Sequence, residues 1–250
     1  VPFYGLAFVP QFLRKAFVAI LRLGRDSPIC EACEIMLEVS QSPHYSCWCD
    51  MSLIMNTFIT TPWESCRVRI LQLVLCWIQV DRSTNLITPS FFVKIVHYMH
   101  TAHPSAQLLC TQIIHTLLNV MSFDILTILT EHPQCINVLC NLIESDNPTI
   151  STSSLHCICI LCLRGGPTNN EFVECIINNK FIENSVEILR KHHTSESCCI
   201  IILNTLTFIF SNKSIYQLSC DDPFYLFNSC GGVQRSEEHT SELQSLNSIS

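Results

Sequence analysis

Residues Gln107 to Met121 read QLLCTQIIHTLLNVM, a run with no Asp, Glu, Lys or Arg and no glycine or proline to interrupt a helix. A helix apolar on nearly every side needs neighbours on nearly every side. The neighbours are predicted by repetition: Ile114, Leu117 and Leu118 recur 44 residues later as Ile158, Leu161 and Cys162, and 44 later again as Ile202, Thr205 and Leu206. The corresponding segments, Cys66 to Val80, Ser154 to Leu163 and Ser197 to Phe210, are also very apolar. Stacked repeat units supply that all-round cover, whereas an isolated helical hairpin cannot.

The prolines follow the same period. Pro89 and Pro104 precede Pro133 and Pro148 by 44 residues each, and Pro43 and Pro62 extend the ladder backwards with a slip of about two. Proline is accepted at helix starts and excluded from helix interiors, so a proline ladder marks helix boundaries. One step further on, polar linkers replace the prolines, at Asn178-Asn179-Lys180 and His192-His193-Thr194-Ser195. Ser27-Pro28 precedes an amphipathic stripe of Ile29, Ala32, Cys33, Met36 and Leu37, which predicts a capped helix there. Thr61-Pro62-Trp63-Glu64 reads as a capping box, and Thr88-Pro89 as a cap followed by proline at the first helical position.

A period of 44 lies within the ~40 to 47 residues of armadillo and HEAT repeats, and the sequence resembles that superfamily. Leu117-Leu118-Asn119-Val120 is similar to the L-x-N-L element of the armadillo third helix. The resemblance implies an all-α, right-handed superhelical solenoid of about four repeats over residues 45–220, preceded by a partial repeat over 1–44 and followed by a tail over 221–234. It also implies a role: in peptide-binding armadillo proteins, third-helix asparagines of successive repeats hold the backbone of an extended ligand in the concave groove. Asn119 matches that element. Asn204 lies one turn off in register, and Trp77 and Leu163 stand at the nearest positions of the other units. The expected function is therefore a non-catalytic protein-interaction scaffold, with partner-binding positions at Trp77, Asn119 and Asn204. The alternatives are a structural spacer within a longer solenoid and a zinc-stabilised module.

The zinc alternative rests on Cys30-x-x-Cys33 followed by His44, Cys47 and Cys49, soft ligands in a spacing unlike that of a standard finger. His192, His193, Cys198 and Cys199 form a weaker cluster of the same kind. Because Cys30 and Cys33 fall on or beside an apolar helical stripe, core packing accounts for them without a metal. Cys157, Cys159 and Cys162, in an unbroken apolar segment with only Arg164 nearby, read as core and not as a redox centre. Gly165-Gly166-Pro167 reads as a helix stop, and lacks the Lys and Ser/Thr of a phosphate-binding loop. No nucleophile elbow, metalloprotease pair or kinase signature is present, so no enzyme activity and no cofactor is expected.

Composition narrows the partners. With a net charge of −7 and 14 scattered Lys and Arg among 250 residues, there is no cationic stripe for nucleic acid. No apolar run approaches the ~18 residues of a membrane span. Seventeen cysteines spread through apolar helical patterns suit a reducing compartment, which places the expected location in the cytoplasm or nucleus. Charged residues make up only 14% of the chain, and the first residue is Val1, so a fragment of a larger protein is expected. Arg235 to Ser245, RSEEHTSELQS, resembles the translation of a sequencing-library adapter, and residues 235–250 are set aside from fold and function on that ground.

Overall fold

The computed structural model describes residues 8–40, 51–81, 88–120, 128–129, 131–165, 170–190, 195–212 and 222–232. Among the described residues, twelve helices with defined bounds carry the fold, and there is no strand. The chain forms two compact units, Val1–Phe123 and Asp124–Ser250.

The first unit contains α1 (Phe8–Leu23), α2 (Asp26–Ser40), α3 (Met51–Thr60), α4 (Glu64–Asp81), α5 (Pro89–Thr101) and α6 (Pro104–Val120). Its long helices pack in sequence, α2 on α4 and α4 on α6. The other helices cover them: α1 packs on α2 and α3, α3 on α4, and α5 on α6. Helices α2 and α4 run in the same direction, because Asp26 at the start of one accepts hydrogen bonds from Ser65 and Cys66 at the start of the other. Further along, Arg69 and Glu34 form an ion pair of 2.7 Å.

Aromatic side chains tie α3, α4 and α5 together. Phe58 meets Phe91 and Tyr98 edge to face, with ring centroids 5.8 and 5.2 Å apart. The Tyr98 hydroxyl donates to the Glu64 carboxylate, and the Arg67 guanidinium lies 5.2 Å from the Tyr98 ring centroid.

The second unit contains α7 (Pro133–Ile143), α8 (Pro148–Gly165), α9 (Asn170–Asn178), α10 (Phe181–Leu189), α11 (Glu196–Ser211) and α12 (Pro223–Ser229). Here α8 packs on both α7 and α11, α9 on α7 and α10, and α10 on α11. Lys180 adopts a left-handed conformation, φ 61°, which turns the chain sharply from α9 into α10. Residues 221–234, expected to be a tail, include α12, which docks on α10 and α11. Phe210 stacks edge to face on Phe224 and Phe227, and Arg190 donates to the Cys230 carbonyl.

The helix starts are where the prolines put them. Helices α5, α6, α7 and α8 each begin on a ladder proline, and Thr88 caps α5 by accepting from the Phe91 amide. Ser195 caps α11 by accepting from the Cys198 amide. Two expected caps differ. Helix α2 begins at Asp26, so Pro28 lies inside its first turn and the Ser27 hydroxyl donates to Glu31. Thr61 does not form a capping box with Glu64: its hydroxyl accepts from Trp63, α4 starts at Glu64, and the Glu64 carboxylate binds Tyr98 instead.

The long helices bury one repeated register. In α4 the buried positions are Cys66, Ile70, Leu71, Leu73, Val74, Trp77 and Ile78; in α6 they are Ala106, Cys110, Thr111, Ile113, Ile114, Leu117 and Leu118. Every position of the second set lies 40 residues after its counterpart. Between α8 and α11 the step is 44, from Ser154, Leu155, Ile158, Leu161 and Cys162 to Cys198, Cys199, Ile202, Thr205 and Leu206. All nine residues of the Ile114, Leu117, Leu118 series are buried, as the 44-residue apolar period predicts. The shorter step in the first unit was hidden by its proline: Pro62 precedes the first residue of α4 by two, whereas Pro104 is itself the first residue of α6.

Candidate functional site

The register sorts the proposed binding positions. Asn119 is exposed near the end of α6, where its side-chain amide donates to the His115 carbonyl at 3.0 Å. Its counterpart in α4, 40 residues earlier, is Gln79, which is also exposed. Trp77, the residue matched to Asn119 by sequence, is 4% exposed and occupies the core position of Leu117. In the second unit the same register reaches half-buried Leu163 in α8 and exposed Thr207 in α11. Asn204 is exposed on α11 one turn before Thr207. The structure therefore places Asn119 and Gln79 at equivalent exposed positions of adjacent packed helices, and buries Trp77. Sequence matching missed Gln79 because it counted 42 residues back, to Trp77, and missed Thr207 because it preferred the asparagine at 204; burial periodicity singles out both.

The metal-like residues rearrange more. His44, Cys47 and Cys49 lie outside the described residues, as do His192 and His193. Cys33 is buried in the core, with its thiol pushed up to about 12 chiefly by burial. Cys198 and Cys199 are buried as well. Cys30 is half-buried and belongs to a different group, formed with Asp26 at the start of α2 and with Ser65 and Cys66 at the start of α4.

In that group one carboxylate oxygen gathers three donors. Asp26 Oδ1 accepts from Ser65 Oγ at 2.7 Å, Cys66 Sγ at 3.0 Å and Cys30 Sγ at 3.4 Å. The two sulfur atoms are 3.8 Å apart, and Cys66 Sγ lies 3.5 Å from the Asp26 carbonyl oxygen. The Cys66 thiol and then the Ser65 hydroxyl hold the Asp26 carboxyl below its ordinary value. Burial, followed by the hydrogen bond to Asp26, pushes both the Cys30 and the Cys66 thiols up. Both are thus protonated donors at neutral pH. Asp26, Cys30 and Cys66 are the group whose ligand atoms lie close enough together to share a metal ion among the described residues. Two of the three were missed from sequence, although the 40-residue step that separates Cys66 from Ala106 also separates Asp26 from Cys66.

The remaining cysteines behave as core. Every described cysteine is free, and Cys157, Cys159 and Cys162 are fully or nearly fully buried. Burial pushes the Cys159 thiol up to about 12. A groove of about 300 Å³ opens between α1 and α3, lined among others by Leu21, Arg22, Thr57 and Trp63. Among the described residues no helix is long and apolar enough to cross a membrane.

Two solved structures resemble the chain, both crystal structures of engineered proteins from a structural genomics consortium. One has a TM-score of 0.59 at 13% identity and covers 90% of this chain and 89% of its own. The other has a TM-score of 0.57 at 11% identity and covers 92% of this chain and 96% of its own. At such identities the likeness shows an all-helical fold and nothing about activity. No family model matches the chain, and no curated protein matches it.

Proposed function

We propose that the chain is a stack of armadillo/HEAT-like helical repeats and acts as a non-catalytic scaffold that binds a protein partner. The observation that carries this reading is the common buried register of α4 and α6, which leaves Gln79 and Asn119 exposed at matching positions of two adjacent helices. Side-chain amides repeated along a helical stack supply paired donors and acceptors for the backbone of a partner segment. The three hydrogen-bonding side chains Gln79, Asn119 and Thr207 follow one register, with Leu163 as the apolar exception. A helix or a strand-like segment laid across α4 and α6 would meet the first two.

The test is affinity capture with the full chain, compared with Gln79→Arg and Asn119→Arg. Both residues are exposed, so neither substitution costs the fold more than about 0.5 kcal/mol. The expected result is a specific protein retained by the unaltered chain and lost, by tenfold or more in affinity, from both variants at unchanged helical circular dichroism. Retention of the same protein by both variants contradicts a binding surface at these positions. Retention lost equally on Glu38→Arg, on α2, would place the contact elsewhere in the first unit.

A further inference from the structure

We propose that Asp26, Cys30 and Cys66 form a zinc site that staples α2 to α4. This inference does not rest on the scaffold reading, and it uses a ligand set different from the Cys30 to Cys49 run. Soft thiolates with a carboxylate suit Zn²⁺ and disfavour Mg²⁺ and Ca²⁺, which take all-oxygen shells. The spacing fits. Zn–S bonds of ~2.3 Å and Zn–O bonds of ~2.0 to 2.2 Å at tetrahedral angles require ligand separations of ~3.8 Å between sulfurs and ~3.6 Å between sulfur and oxygen.

The observed separations are 3.8 Å for Cys30 Sγ to Cys66 Sγ, 3.4 Å for Cys30 Sγ to Asp26 Oδ1 and 3.0 Å for Cys66 Sγ to Asp26 Oδ1. The two sulfur–oxygen edges must open, the first by about 0.2 Å and the last by about 0.6 Å, which a small side-chain rotation provides. The three side chains come from two rigid elements, Asp26 and Cys30 being one turn apart on α2 and Cys66 lying in the first turn of α4. The Ser65 hydroxyl, already bound to Asp26, stands ready to orient the carboxylate after the ion enters.

On binding, the Cys30 and Cys66 thiols each release a proton to solvent, and their hydrogen bonds to Asp26 are replaced by two Zn–S bonds and one Zn–O bond. The fourth position is taken by water. Two thiolates and one carboxylate leave the site with a net charge of −1 around the dication. Because the ligands join residues 40 apart in sequence, the ion cross-links two successive long helices.

The experiment is a zinc titration of the folded, reduced full chain in competition with a chromophoric chelator, using Zn²⁺ alone, with Mg²⁺ and Ca²⁺ as comparison ions. The expected result is one equivalent of tightly held zinc, with affinity lowered tenfold or more in C30S and in D26N and unchanged in C76S. D26N keeps an oxygen acceptor for Ser65 and preserves the fold even where C30S does not. Absence of a stoichiometric zinc equivalent, or an affinity in D26N equal to that of the unaltered chain, overturns the proposal.

Discussion

Ile114→Ala lowers the stability of the protein by about 2 to 5 kcal/mol, whereas Asn119→Ala, on the same helix, changes it by no more than about 0.5 kcal/mol. Ile114 is fully buried in α6 at the register position that Val74 holds in α4, so trimming it opens a void between packed helices. Little can relax into that void, because Ile113 and Leu117 on the same helix are themselves fully buried against neighbours. Asn119 is exposed and gives up only side-chain hydrogen bonds to His115 of its own helix. Urea unfolding followed by circular dichroism measures both. Equal costs at the two positions would contradict the assignment of one to the core and the other to the surface.

Under native conditions Cys157, Cys159 and Cys162 react with a thiol reagent on the order of 10³ times more slowly, or slower still, than they do in the unfolded chain. Reaction requires a thiolate in contact with the reagent, and two barriers stand in the way. The side chains are enclosed, so access waits for opening, and a stable fold leaves an unfolded fraction of roughly 10⁻³ or less. Burial also pushes the Cys159 thiol up to about 12, which suppresses its thiolate at pH 8 even when the reagent is near. Among the described cysteines, half-buried Cys30, Cys76, Cys175 and Cys230 are modified before them. Mass spectrometry of peptides after timed labelling reads the order directly, and early modification of Cys157 or Cys162 would refute their place in the core.

The fold was legible where the physics is periodic. Ile114, Leu117 and Leu118 and their counterparts at 44 and 88 residues are buried because a long helix between neighbours must be apolar on several sides at once. Helix starts were legible at Pro89, Pro104, Pro133 and Pro148, where the fixed φ of proline suits the first turn. They were less legible at Pro28 and Pro62, because proline is tolerated anywhere in the first turn or just before it. That tolerance of one or two residues hid the 40-residue step between α4 and α6.

The candidate sites were legible only in part. Asn119 was found through its local motif, but Trp77 was paired with it by position counting and lies instead among the buried residues. Gln79 requires the burial register to be seen. Cys30 drew attention through the nearby Cys33, yet those two thiols diverge, one into the core and one towards Asp26 and Cys66. Contacts between successive long helices follow the repeat step and not the spacing within one helix, so a motif confined to one segment does not reveal them.

Helices α4 and α6 bury one structural register 40 residues apart. An alanine scan along both helices, with stability measured for each variant, tests it most directly. Maxima of stability loss are expected at residues 70, 73, 74 and 77, coinciding with maxima at 110, 113, 114 and 117, with minima shared by 79 and 119. Profiles that coincide best at another offset, or that share no pattern, would contradict it.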